Sequence, residues 1–449
     1  MSRKRDWKVV LAGECMMSRP FSAYEEPEFR AVLDLLAGSD VTYAHLEMNF
    51  GTADDLEWAA RGDWIASYMI AEPDLAAELR AAGIDLLSLA HNHSFDFGPS
   101  GLLATARHCR AAGFACAGTG RDLEEAREPA FLETRKGRVA LVSTSSGNKA
   151  YEWASHPKAQ LRGRPGVNPL RVSMKYEIDR AAAAELERLA GRLGIGGRRE
   201  AGEIVLNFPG DQSTRTAPTF VAGEGFGVFS ECHPRDLEGN LRSIGEAAAM
   251  ADLVMVAHHF NVSEGPRSDN PPRFARQFAH AAIEAGADIY IGHGWHKTLG
   301  IEIHDGKPIF YGVGNFICQS EFVRRVPYDS YEAWDHDVDR LTTLNAAAHP
   351  LHPGLDLAPW WSSAVFELAY DGDVLKEIRL HPVEMGRRTT PDGTVITRRT
   401  GKGSHALTEG RPFLADGETG EAVLRRLKSL SEPFGTRIDI EKGIGVIRL

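Results

Sequence analysis

The run Ala287-Asp288-Ile289-Tyr290-Ile291 leads straight into Gly292-His293-Gly294-Trp295-His296. A short apolar run closed by glycine reads as a buried strand. A buried strand that stops at His-x-x-His can place two imidazoles at one sheet edge, and imidazole is the commonest protein ligand for a transition metal. Two neighbouring histidines mean little alone, but three other clusters follow short apolar runs in the same way. Glu14 comes after Val9-Val10-Leu11-Ala12-Gly13. His91-Asn92-His93 follows Leu86-Leu87-Ser88-Leu89-Ala90, and His258-His259 follows Val254-Met255-Val256-Ala257. Open α/β sheets build their sites from loops at the C-terminal ends of strands. Four clusters in that position point to one shared metal centre.

Working outward, apolar runs alternate with helical patterns. Strands are expected at Val9–Ala12, Val41–Leu46, Ile84–Ala90, Arg138–Thr144, Leu253–Ala257 and Asp288–Ile291. Helices are expected at Glu28–Leu36, Pro73–Ala82, Leu102–Ala112, Asp236–Met250 and Arg273–Ala285. This alternation favours parallel pairing with helices on both sheet faces, an α/β class. Two regions interrupt it and read as insertions, about 147–235 and about 319–360. Segments of that length outside the main pattern are often functional, so a lid or substrate wall is one reading and a peripheral insertion the other. The main domain is placed at 1–362. A β-rich extension, 363–449, is expected to pack on it and to open with a hairpin turning at Asp371-Gly372-Asp373.

Composition narrows the function. With 449 residues, 43% hydrophobic and 25% charged, the chain has the profile of a globular protein. A net charge of −11 lacks the basic surface that non-specific nucleic-acid binding needs, so no nucleic-acid partner is expected. No apolar run approaches the ~18 residues of a membrane helix. The basic start before Trp7 is followed by too short an apolar segment for a signal core, so a cytoplasmic location without a membrane partner is expected. Five scattered cysteines show no metal or disulfide spacing.

Taken together, the clusters resemble the CapA-type family, named for poly-γ-glutamate capsule synthesis, within the calcineurin-like metallophosphatase superfamily. The family's Gly-Asp-x-Met stands here as Gly13-Glu14-Cys15-Met16, and its Asn-Leu-Glu as His45-Leu46-Glu47. Its Asn-Asn-His-x-x-Asp-x-Gly is similar to His91 through Gly98. Its His-Trp-Gly falls at His258-His259-Phe260 or one residue later, and its Gly-His-His-Pro-His at Gly292 to His296. Gly300-Ile301-Glu302 and Pro308 to Phe316 match intact. The likeness runs from about residue 8 to 318. It implies a calcineurin-like sandwich of two sheets flanked by helices, with insertions.

It also implies a site. Metal ligands are expected among Glu14, Glu47, Asn92, His258, His259, His293 and His296, with His258 the first choice and His259 the second. Asn92 would ligate through its carbonyl oxygen, and Glu47 could bridge two ions. Catalytic roles fall to Glu14, His93 and His296. Asp96, His91 and Asn315 would support them. This mixed N/O set suits two divalent ions such as Zn, Mn or Fe, and argues against an all-oxygen cage.

The chain also departs from the pattern. Glu14 replaces Asp, and Met16 stands where related phosphatases carry a histidine. Gly294 and Trp295 replace His and Pro, which suggests open space and an aromatic wall. Three functions follow. One is metal-assisted two-base chemistry at a peptide Cα, as in the similar lasso-peptide epimerases, with Glu14 and His296 on opposite faces. Another is hydrolysis of a phosphoester or amide with His93 as general acid. The third is an accessory role in poly-γ-glutamate synthesis. The departures favour the first, with a peptide or peptide-like substrate.

Overall fold

The computed structural model describes the chain apart from residues 1–5, 57, 61–67, 201, 208–217, 266–268, 320–326, 334–336, 338–357 and 387–409. Most of the expected insertion at 319–360 therefore lies outside the described residues. Two large sheets face each other. Among the described residues the first has ten strands and the second six.

The first sheet is parallel on one side, where Lys8–Met16, Val41–Leu46, Leu86–Ser88 and Ala115–Ala117 lie in order. On the other side it is antiparallel. The hairpin Ser362–Asp371 and Val374–Glu384 joins directly to Lys8–Met16, and Ile444–Arg448 and Asp439–Glu441 follow. The C-terminal segment is thus part of the first sheet itself. In the second sheet Arg138–Ser146, Leu253–Phe260, Ile289–His293 and Lys307–Phe310 run parallel, with antiparallel edges at Ala130–Glu133 and Ile301–His304.

Successive side chains of a strand point to opposite faces, and the core follows that rule. Val9, Leu11, Val41 and Tyr43 meet Leu141, Leu253, Met255, Ile289 and Ile291 between the sheets. Val10, Ala12 and Ala44 turn outward onto Pro27–Ala37 and Leu75–Ala81, through Phe29, Val32 and Leu79. Val254, Val256 and Tyr290 turn outward onto Pro234–Met250 and Arg273–Glu284, through Ile244, Phe274 and Phe278. Helix, sheet, sheet and helix form four layers. Strands covered on both faces read as unbroken apolar runs, which is why the sequence reveals them. Helix Gly417–Ser431 adds Val423, Leu424 and Leu427 to the core between the sheets.

The region after Arg138–Ser146 contains a smaller five-stranded sheet built from residues 172–232, covered by helix Arg180–Leu193. It has its own small core of Ala183, Ala190, Ile204 and Leu206. The five cysteines are free and buried. No described helix is long and apolar enough to cross a membrane.

At the junction of the N- and C-terminal strands, Glu367 lies 3.1 Å from Lys8 Nζ and 3.7 Å from His381 Nε2. His381 foremost, then Lys8, holds its carboxyl down at about 2 against the opposing effect of burial. A folded value below the unfolded one, about 4.3, means the stabilisation is complete above the unfolded value and is lost as pH falls through the folded one. Glu367→Gln should lower stability at neutral pH by about 0.5–1 kcal/mol, the pair being partly screened by water. In urea unfolding the gap to wild type should close as pH falls from about 5 toward 2.

Candidate metal centre

The clusters converge where the C-terminal ends of both sheets meet. Strand parity decides which side chains arrive. In Leu253–Phe260 the inward residues are Leu253, Met255 and Ala257, so His259 follows them toward the other sheet and His258 points out. In Ile289–His293 the inward series ends on His293. In Val41–Leu46 it runs Val41, Tyr43, His45. Along Lys8–Met16 the register shifts between Leu11 and Glu14. A shift of this kind re-aims a side chain.

Glu14 is fully buried and joins the two sheets. Its Oε1 accepts a 2.6 Å hydrogen bond from the Gly294 N–H, and its Oε2 lies 2.7 Å from His296 Nδ1. His293 Nδ1 is 3.9 Å from Glu14 Oε1. Glu47 Oε2 is 3.5 Å from His296 Nδ1, and Glu47 Oε1 is 3.8 Å from His259 Nε2. Two groups of ligand atoms result, Glu14–Glu47–His296 and His45–Glu47–His259, each with its atoms within 4.8 Å of one another. Glu47 belongs to both.

The remaining imidazoles are held from behind. Tyr43 Oη meets His293 Nε2 at 2.7 Å and Ser88 Oγ at 2.6 Å. Ser88 Oγ also meets His45 Nδ1 at 2.6 Å, and His45 Nε2 lies 2.9 Å from His259 Nδ1. His93 Nδ1 lies 2.8 Å from Asp96 Oδ2, which also accepts from the Met69 N–H. His91 Nδ1 accepts from the His93 N–H, and the His91 ring packs edge-on against His45. Asn92 is buried in the same loop. Asn315 Oδ1 holds His296 Nδ1 at 3.0 Å, while its amide donates to the Trp360 carbonyl.

Electrostatics fit a cation. Burial lowers His293 to about 4 and pushes His45 and His259 well below the ordinary range, so these rings are neutral. Burial alone would raise the Glu14 carboxyl, but His296 foremost, with Glu47 and His259, together draw it well down. Burial, then the charge of Glu14, pushes Glu47 well up. Both Glu47 oxygens, His259 Nε2 and His293 Nδ1 are buried without a hydrogen-bond partner among the described residues. Such atoms are costly unless something binds them. Neutral imidazoles facing carboxylates are the donor set a divalent transition ion takes.

The structure separates the two candidates on Leu253–Phe260. His258 has Nδ1 on Tyr290 Oη at 2.6 Å and Nε2 on Ser146 Oγ at 2.9 Å. Both nitrogens are engaged by hydroxyls away from the Glu14–Glu47 cluster, and burial holds the ring neutral with a value of about 3. His259, the second choice, is the one that faces Glu47. Two expectations about the loop fail. Gly294 leaves no open space: a Cβ there would lie 2.5 Å from the Phe260 carbonyl oxygen, and φ is +105°. The glycine is needed so that its N–H can reach Glu14. Trp295 is no wall but a buried residue packed on Phe260. The ring over His296 belongs to Trp360, at 4.3 Å.

His45 and Trp360 were missed. The alternation Val41-Tyr43-His45 was a sufficient signal for the first. Trp360 had none, because it is more than 60 residues from the loop it covers.

Two facing sheets with a His/Glu cluster between their strand ends define a metallophosphatase-like sandwich. The model of the bacterial capsule synthesis protein family PGA_cap matches residues 8–320, and the chain belongs to that family. It is 30% identical to the protein y4sH of Sinorhizobium fredii over 98% of this chain and 93% of that one. The Bacillus anthracis capsule biosynthesis protein CapA is 22% identical over 70% of this chain and 61% of its own. The PGA biosynthesis protein CapA of Bacillus subtilis is 38% identical over 24% of this chain and 28% of its own.

Replacing His259 by Ala should weaken metal binding by at least about 10-fold, whereas His258→Gln should leave affinity within about 3-fold of wild type. Elemental analysis of dialysed protein supplemented with zinc or manganese checks both. Equal losses in the two variants would count against the parity assignment.

Proposed function

We propose that the chain is a metal-dependent enzyme acting on a peptide or amino-acid polymer by proton transfer at a Cα, an epimerase-like reaction. Glu14, Glu47, His259, His293 and His45 are the residues suited to hold two divalent ions, with Glu47 shared between them. Bound there, such ions would supply Lewis-acid polarisation of a carbonyl oxygen.

The observation that carries this reading is a pair of carboxylate-backed imidazoles. His296 leans on Glu14 and His93 on Asp96, from separate loops. Their side chains keep 14% and 11% exposure, whereas those of His259 and His293 have none. The two rings a substrate can reach are thus the two with a carboxylate to orient them. Glu14 and His296 do not serve as opposing base and acid, because 2.7 Å between them leaves no room for a carbon. They act as one unit, with His296 taking or giving the proton. His93, backed by Asp96, is the second unit.

The CapA relatives are named for capsule and PGA biosynthesis. They support an amino-acid polymer as the substrate class, and support an accessory role equally well. The His93–Asp96 pair also suits hydrolysis, in which His93 would protonate a leaving group.

Protein purified without chelator and supplemented with zinc or manganese should carry two ions per chain at the candidate centre; fewer than about one there would remove the basis for metal chemistry. Incubation in D₂O with poly-γ-glutamate and with peptides, read by mass and chirality, should give a one-dalton gain at a single Cα. His93→Ala and His296→Ala should each slow that exchange by about 10²–10⁴-fold with folding intact. Chain shortening without exchange would make the protein a hydrolase. Loaded protein with neither activity would support the accessory role.

A further inference from the structure

Strand Ile301–His304 is the outer edge of the second sheet. Ile301 and Ile303 turn into the core between the sheets. By alternation Glu302 and His304 face the other way, onto helix Arg273–Glu284. There His280 meets them. The His280 and His304 rings stack with centroids 4.1 Å apart and planes within 1°. His280 Nε2 is 3.0 Å from Glu302 Oε1, and Tyr311 Oη donates to Glu302 Oε2 at 2.6 Å. His304 Nε2 is a buried atom without a hydrogen-bond partner. Glu284 Oε1 and Asp305 Oδ2 each lie 3.9 Å from it. One ligand atom from each of His280, Glu302 and His304 falls within 4.8 Å of the others.

We propose that His280, Glu302 and His304 form a separate site for a zinc-type divalent ion, which clips helix Arg273–Glu284 to the edge strand. The donors are of the right type for such an ion, two imidazoles and a carboxylate; because the lone pair of an imidazole nitrogen lies in its ring plane, the stacked rings must turn apart to converge on the ion, with water completing a four-coordinate shell. Tyr311 orients the carboxylate from behind, as outer partners do around bound metals. Glu284 and Asp305 add negative potential beside His304 that favours a cation there. The site is independent of the candidate centre. His304 pairs with Lys307 at the start of a parallel strand, whereas His259 and His293 lie at strand ends.

The full chain, stripped by chelator and dialysed, is titrated with Zn²⁺ alone and with Co²⁺ alone. His259→Ala, weakened at the candidate centre, should still bind one zinc ion at this site and gain thermal stability from it. Adding His304→Ala should remove that ion, that gain and the corresponding Co²⁺ absorption. Glu302→Gln, which keeps size and the contact with Tyr311, should weaken the same ion by about 10-fold or more. Circular dichroism confirms that each variant is folded. Unchanged zinc stoichiometry in folded His304→Ala, or unchanged affinity in Glu302→Gln, would overturn the proposal.

Discussion

The carboxylate of Glu14 is the point where the two sheets are joined chemically. It extends from the first strand of one sheet and takes the Gly294 N–H and the His296 imidazole from the loop that follows Ile289–His293 of the other. Glu47 approaches the same imidazole from the neighbouring strand. Two buried carboxylates side by side are unfavourable, because burial and mutual repulsion both oppose ionisation. The opposite responses of the two acids express this conflict: one stays ionised and the other is pushed toward its neutral form. A cation bound between them would resolve it by neutralising both. Breaking one member of such a set is costly because it leaves its partner's charge buried and uncompensated.

The geometry that permits this arrangement is backbone geometry. Gly294 can approach only because it lacks a Cβ and adopts a positive φ. His296 adopts a positive φ of 56° without that excuse. Backbone strain in a non-glycine residue persists where surrounding contacts over-determine it. Here the contacts are Glu14, Asn315 and the Trp360 ring. The result is a ring held at the rim of the cluster while other imidazoles are sealed below it.

Membership of the capsule-synthesis family and the shared sandwich do not by themselves assign a reaction, since one fold hosts many chemistries. Several features lie around the common core. Met16, where the related phosphatases carry a ligand, packs into the apolar layer under the first sheet. Glu14 spans both the metal-type cluster and the reachable His296. The five-stranded addition at 172–232 keeps a core of its own.

Periodicity and local composition made the frame legible. Val41–Leu46 matches its expected bounds, and the hairpin turns at Asp371-Gly372-Asp373 as the turn residues imply. Strands buried on both faces produce continuous apolar runs, and chemistry at their ends stands out against them. The same alternation also held the information that separates His259 from His258 and picks out His45, because side-chain direction along a strand has a period of two. Other features had no local signal. The joining of 362–384 to the first strand depends on pairing across more than 340 residues. Trp360 over His296, Gly294 against Phe260, and Tyr43 behind His293 are contacts between elements brought together only by sheet packing. Sequence determined which faces and strand ends carry chemistry, since those follow from backbone period. Tertiary structure alone decided which of those groups touch, since that depends on how two separately built sheets stack.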